Sequence, residues 1–382
     1  MCADIVVVGG GPVGLWTAIQ AKKRYPNQDI QVYERYQEYA RSHVLKLERM
    51  SLMLYSKRAN DAAEKTFMEA VLGSHNHNIV EAAFDGEDDV YIRTNDLEDA
   101  LKTYAENLGI QTAYQHIDSP EMVEAMHPEC DNFIAADGAH SKMRLALMGE
   151  NSKKEYPLQH VVEMKYEADG KTGSLDTAEN FRVNKNLDSM AFEYVGKEKD
   201  GKTPVTLRFF VDEEIYNTMP EASFKQPLTL ETSKLPDNLT ADIELYMDAR
   251  KEKLGEQYKN GSSKISKLTL SLYRAKKFAM QKRKKNWFLV GDAAMGVPYF
   301  RSLNAGLIIG SQLGKIITST GLSGKSKIAA YNTLQPLDTT WEFTSAHGKN
   351  VVLNIYDSFR KASGKVSSLF KPKKKRGGPG LF

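Results

Sequence analysis

The run from Ile5 to Val8 is apolar and β-branched, with no polar residue interrupting it. A short continuous run of this kind reads as a strand buried on both faces, as in a parallel sheet. From residue 12 to Tyr25 the spacing changes to that of a helix, carried by Leu15, Ile19 and Lys22, with Pro26 just past its end. Ile30 to Tyr33 reads as a second strand, closed by Glu34. A helix follows from Asp96 to Leu108, with Leu97, Leu101, Tyr104 and Leu108 on one face and Gly109 in the C-cap position before the strand-like Ile110–Tyr114. Two later apolar strands, Asn132 to Ala135 and Trp287 to Val290, run into Asp137-Gly138 and Gly291-Asp292, each near a helix start. Strands alternating with helices in this way predict an α/β domain.

Residues 151–285 are patterned differently. His160–Tyr166, Met190–Val195, Val205–Val211 and Ile265–Leu272 are strand-length runs separated by Gly, Asp, Asn and Lys clusters, with a helix over Asp242–Leu254. This predicts an inserted, mostly antiparallel β-sheet domain. The expected organisation is a discontinuous nucleotide-binding domain over 1–150 and 286–322, the insert at 151–285, C-terminal helices over 323–370 broken at Pro336, and a disordered basic tail over 371–382.

Composition narrows the class. Hydrophobic residues at 41% and charged residues at 26% fit a globular protein, and no apolar stretch approaches the roughly 20 residues of a membrane span. Asp4 directly before a strand and the lack of a basic leader argue against a signal peptide. Cys2 and Cys130 form no metal spacing or disulfide scaffold, and His75 and His77 find no completing ligands, so no metal is expected. A cytoplasmic location is expected, with a nucleus or host cytosol as further options through the basic tail. Eleven of the 52 bases lie in two acid-free runs, Lys276–Lys285 and Lys371–Arg376, leaving 41 bases against 49 acids elsewhere. The first run reads as a solvated helix or loop face, or as a docking patch for an acidic protein or a cofactor phosphate. The second reads as a solubilising end, a contact for an anionic partner, or an import signal. The acidic body and the absence of interleaved aromatics argue against nucleic acid.

The most specific chemistry lies at Gly9-Gly10-Gly11-Pro12-Val13-Gly14, a GxGxxG pattern between the first strand and first helix. Gly9 permits the turn, Gly11 lets backbone approach a pyrophosphate, and Gly14 lets helix and sheet pack closely. Free N–H groups of the helix N-terminus face the phosphates. Glu34, twenty residues on, is placed to accept from an adenosine ribose. These features predict a dinucleotide, NAD or FAD.

The three motifs, at Gly9–Gly14, Asp137–Arg144 and Gly291–Asp292, together resemble the class A flavoprotein monooxygenases, the para-hydroxybenzoate hydroxylase-like fold. The resemblance implies a Rossmann-like (GR2-type) FAD-binding domain with a β-sheet substrate domain. It implies FAD contacts from Gly9, Gly11, Pro12 and Gly14, from Asp137 and Gly138 with Ser141 and Arg144 matching the motif's tail, and from Gly291 and Asp292. Leu303, Asn304, Ala305 and Gly306 fall by the flavin pyrimidine edge. Glu34-Arg35 with Arg41 to Leu47, and Ile92-Arg93 with its following helix, resemble the flavin domains of the MICAL proteins, which oxidise methionine in actin. Arg35, Arg41 and Arg93 are thereby cofactor-side candidates, and Lys46 falls near the flavin or substrate edge. Pro298 approaches the ring face, Tyr299 or Phe300 lines the cavity, and Arg301 is a candidate for an acidic substrate group.

The activity implied is reduction of the flavin by NADPH or NADH, formation of a C4a-(hydro)peroxide with O2, and transfer of one oxygen to a small aromatic or heteroatom-bearing molecule or a protein side chain. A reductase, a halogenase-like enzyme and a binding protein with a non-catalytic FAD are the alternatives.

Overall fold

The computed structural model describes residues 3–38, 44–48, 51–52, 62–72, 90–196, 198–297 and 301–369. In chain order the elements begin β1 (Ile5–Val8), α1 (Pro12–Arg24), β2 (Ile30–Glu34), β3 (Val44–Leu47), α2 (Ala62–Leu72), β4 (Val90–Arg93), α3 (Thr94–Asn107) and β5 (Gln111–Tyr114). There follow α4 (Pro120–Met126), β6 (Asn132–Ala135), α5 (Lys142–Met148), β7 (Lys153–Asp169), α6 (Thr177–Asn184), β8 (Met190–Val195), β9 (Lys202–Val211), α7 (Glu213–Thr218) and α8 (Asp237–Leu254). The chain continues through β10 (Gln257–Tyr258), β11 (Lys264–Ala275), β12 (Ala279–Lys282), β13 (Lys285–Leu289), β14 (Met295–Gly296), α9 (Arg301–Ile317) and α10 (Gly324–Leu369).

Two compact units result, Met1–Tyr156 with Ser271–Ala346, and Pro157–Leu270 with His347–Phe382. The first contains a six-stranded sheet in the order β12-β13-β6-β1-β2-β5. The β13, β6, β1, β2 and β5 strands are parallel, and β12 returns antiparallel on β13. Val8 pairs with Tyr33 and with Ala135, and Ala135 pairs with Leu289, so four strands end in register. That register carries Gly9, Glu34, Asp137 and Gly291 to one carboxyl edge, where ligands bind in open α/β sheets.

Helix α9 packs on α1 through a ridge of small residues. Added Cβ atoms at Gly306, Gly310 and Gly314 would come within 2.7 Å of Val13, 2.5 Å of Thr17 and 2.9 Å of Gln20. Trp16 Nε1 donates to Ser311 Oγ at 2.8 Å on the same face. Side chains spaced by four on one helix thus meet positions three and four apart on the other.

In the second unit β9 pairs antiparallel with β7 and β8, and β10 with β7. One face of this sheet, through Val162, Met164, Leu207 and Phe209, packs on Leu239, Ile243 and Tyr246 of α8. Arg250, fully buried, is clamped between Glu193 and Glu256, and Tyr166 and Thr172 also donate to Glu256 at 2.5 and 2.8 Å.

Two expectations are corrected. Lys276–Lys285 forms no helix: residues 279–282 form β12, joined to β13 by a tight turn at Arg283-Lys284, while Lys276, Lys277, Arg283 and Lys284 are exposed outside the strands. Nor does the chain break at Pro336, which lies inside the continuous α10. A proline in a helix interior costs roughly 3 kcal/mol, and here tertiary bonds hold the preceding turn. Tyr331 donates to the Leu289 carbonyl at 2.8 Å, Asn332 bonds both Phe278 and Ala279, and Gln335 donates to Gln312.

Candidate functional site

The glycine loop divides sharply by space. A Cβ at Gly9, whose φ is +110°, would lie 2.3 Å from the Ala136 carbonyl oxygen, and one at Gly14 would lie 2.0 Å from the Gly9 carbonyl oxygen. At Gly11 a Cβ would meet nothing within 4 Å. Gly9 and Gly14 are therefore required by the packing of strand, loop and helix, whereas Gly11 borders open space at the N-cap of α1. The N-terminal amides of this 13-residue helix begin there. This fits a pyrophosphate held against backbone.

Glu34 closes the loop's other side. Its Oε2 accepts from the Gly10 amide at 2.7 Å and its Oε1 from the Tyr36 amide at 3.0 Å, with one lone pair left on each oxygen. Beyond it, Arg35 is exposed and donates to His116 Nδ1 at 2.8 Å, beside the Lys142–Asp118 ion pair. Under this corner Glu98 of α3 is buried and paired with Lys102 at 2.9 Å, while its Oε2 lacks a hydrogen bond. Burial, offset in part by Lys102 and reinforced by the Glu34 charge, pushes the Glu98 carboxyl up to about 7.

The second and third motifs are bolted together by Arg144. Its Nη1 donates to the Ala293 carbonyl at 2.6 Å and its Nη2 to the Ala139 carbonyl at 3.0 Å. One buried guanidinium thus spans the Asp-Gly and Gly-Asp turns. Asp137 accepts from Ser141 Oγ at 2.5 Å and from the Met143 amide at 3.0 Å, so it organises the start of α5, and burial holds its carboxyl above the usual range. Gly138 has φ +86° with open space where a Cβ would point.

Gly291, at φ +60°, is stacked against Val13, and so is Gly306 of α9. Asp292 accepts from Ser302 Oγ at 2.6 Å, and its backbone carbonyl accepts from Tyr273 at 2.8 Å. Asn304 is buried, and its Oδ1 accepts from the Glu48 amide at 2.9 Å and Ser51 Oγ at 3.0 Å. The segment following β3 and Lys46 is thereby tied to the first turn of α9, next to Leu303 and the buried Ala305. Arg93 is exposed at the junction of β4 and α3.

Arg41, Pro298, Tyr299 and Phe300 lie outside the described residues, as do His75, His77 and the basic tail; for Lys46 and Arg301 only the backbone is described. Among the described residues no group of His, Cys, Asp and Glu could hold a metal ion, and no helix is long and apolar enough to cross a membrane. Sequence reasoning missed Val13, Tyr273, Ser302 and the α9 ridge. The ridge has a legible signal, glycines at 306, 310 and 314, whereas the partners of Val13 and Tyr273 have none.

No family model and no curated protein matches the sequence. Solved structures do resemble the fold. CtdE in complex with FAD and a substrate aligns at TM-score 0.58 and 12% identity, over 95% of this chain and 91% of that one. The tetrameric form of 2-methyl-3-hydroxypyridine-5-carboxylic acid oxygenase aligns at 0.55 and 14%, over 94% and 93%. The Diels-Alderase PyrE3 aligns at 0.56 and 14%, over 96% and 77%. With its parallel sheet, glycine loop and inserted strands, the chain has the α/β fold of a Rossmann-like FAD-binding domain carrying an inserted mixed β-sheet domain and a C-terminal helical segment.

Proposed function

We propose that this protein is an FAD-dependent monooxygenase that consumes NADPH or NADH and inserts one oxygen atom from O2 into a small aromatic or heteroatom-bearing molecule or a protein side chain. The observation that carries this reading is the convergence, at one sheet edge, of an open glycine cradle, the Glu34 carboxylate beside it, and an Asp-Gly and a Gly-Asp turn bridged by Arg144. The oxygenase among the similar structures supports it.

In this reading the amides at the start of α1, with Gly9, Gly11, Pro12 and Gly14, hold the pyrophosphate, and Glu34 accepts from the adenosine ribose. Arg35, Arg93, Asp137, Gly138, Gly291, Asp292 and the Leu303–Gly306 turn complete the cofactor's surroundings. Lys46, Arg301, Pro298 and Tyr299 serve on the substrate side and Arg41 on the cofactor side. When bound, FAD supplies the redox chemistry, taking reducing equivalents from a pyridine nucleotide and handing them to O2. The chain's own task is to orient the group and keep water from it. Arg144 does so indirectly, because its hydrogen bonds set the spacing of the two turns that border the cradle.

The test is the visible spectrum of the purified protein, with chromatography of the cofactor released on denaturation and anaerobic addition of NADPH and NADH. Bands near ~375 and ~450 nm, FAD release, bleaching by a pyridine nucleotide and substrate-dependent oxygen insertion under air are expected. Protein that binds no FAD, even on reconstitution, overturns the reading. FAD that binds but is never reduced by either nucleotide turns it toward a non-redox use of the fold, as the name of PyrE3 illustrates for that protein.

A further inference from the structure

In the Gly291–Asp292 turn and the residues after it, every carbonyl from 291 to 294 is engaged. The Gly291 carbonyl accepts from the Ala294 amide at 2.8 Å, and the Ala294 carbonyl from the Ala275 amide at 2.7 Å. The Ala293 carbonyl accepts from Arg144 Nη1 at 2.6 Å. The Asp292 carbonyl accepts from the Tyr273 phenol at 2.8 Å, with Arg144 Nη1 at a longer 3.5 Å. Asp292 is thus anchored twice by hydroxyl groups, at its main chain by Tyr273 and at its carboxylate by Ser302.

Tyr273 reaches that oxygen because residue 296 is a glycine. The two residues pair across β11 and β14, and a Cβ at Gly296 would lie 2.2 Å from the tyrosine ring. Lys153 and Arg144 stand 4.9 and 5.8 Å from the ring centre, where the aromatic face attracts cations. The ring is buried, and burial holds the phenol proton on far above neutral pH, so the group stays a donor. A ring needed only to fill the space beside Gly296 would serve as well without its oxygen. The hydroxyl, aimed at one main-chain carbonyl of the turn, is what phenylalanine lacks.

We propose that Tyr273 is a positioning residue for the cofactor edge: its phenol fixes the rotation of the Asp292 peptide and thereby the direction of the Asp292 carboxylate. The identity of the ligand rests on the flavin reading, whereas the anchoring rests on the turn itself. The full chain, Y273F, Y273L, S302A and Y273F/S302A are compared by FAD titration of the apoprotein, thermal midpoint and hydrogen exchange over residues 290–297. Y273F should bind FAD roughly three- to tenfold more weakly, the worth of one hydrogen bond, and exchange faster over 290–297. Y273L should weaken FAD binding at least as much and, having lost the ring, also lower the thermal midpoint. Because both anchors hold one residue, the double variant should lose less affinity than the product of the two single losses. Y273F that binds FAD as the parent does overturns the proposal, leaving the ring a packing element. A double-variant loss equal to that product overturns it too, since independent contacts multiply. A parent that binds no FAD defeats the flavin reading, and exchange then decides: faster exchange over 290–297 in Y273F supports the anchoring, and unchanged protection overturns it.

Discussion

The Gly9 carbonyl oxygen sits where a Cβ on Gly14 would be, 2.0 Å away, so strand-end and helix can approach only because residue 14 has no side chain. Gly11, three residues earlier, has no such neighbour within 4 Å. The two glycines therefore separate folding from binding. G14A should destabilise the protein by several kcal/mol, on the scale of about 1–3 kcal/mol or more for an overpacked site. On the proposed FAD reading, G11A should leave the thermal midpoint of the apoprotein unchanged while weakening FAD binding at least roughly tenfold, because its methyl would enter the open space which that reading assigns to the pyrophosphate. Calorimetry of the apoprotein and FAD fluorescence titration distinguish the two.

Glu98 makes stability pH-dependent in a defined direction. Its folded-state value of about 7 lies above the ordinary glutamate value of 4.5, with burial as the chief cause. Between these two values the unfolded chain has released this proton and the folded chain retains it. Stability should therefore fall as pH rises from 4.5 through about 7, with a slope of at most about 1.4 kcal/mol per pH unit. E98Q, which keeps shape without titrating, should flatten that window and gain stability at pH 8 relative to the parent. Thermal midpoints across pH, parent against variant, check it.

Arg250 ion-pairs with both buried carboxylates, Glu193 and Glu256. R250M would take this cation from two buried carboxylates that keep only neutral donors, Tyr166 and Thr172 on Glu256 and the Leu175 amide on Glu193. Removing one partner from a buried ionic cluster costs about 3–5 kcal/mol. Hydrogen exchange should show the loss concentrated in residues 157–270, with the parallel-sheet unit retaining its protection.

Arg283 and Lys284 both adopt positive φ, 51° and 67°, in the two-residue turn between β12 and β13. Turns of this type favour Asn-Gly, since other residues are strained there. Arg283 is held by Glu124 at 2.6 Å and Glu121 at 2.7 Å. K284G should thus stabilise by up to about 1 kcal/mol. R283G relieves the same strain but strips both carboxylates of their partner, so a net loss of about 1 kcal/mol is expected. Urea midpoints of the two variants should move in opposite directions.

The parts of this protein that its sequence determines alone are those decided within a few residues. β1, the glycine loop, α1 and Glu34 follow from an apolar run, a missing Cβ and a change of period, and the Gly109 turn follows from its need for positive φ. The strands of the insert are equally local. Tertiary structure decided what depends on partners far along the chain. Arg144 reaches Ala293, 149 residues on, because parallel register brings β6 beside β13. The run at 276–285 enters a strand hairpin rather than a helix because β12 pairs along β13 and acids of α4 receive its turn, with Lys276, Lys277, Arg283 and Lys284 still exposed. Pro336 fails to end a helix because bonds to β12 and β13 hold the turn before it. Local preferences of a few kcal/mol or less yield wherever packing supplies more, and packing is a property of neighbours that sequence spacing does not name.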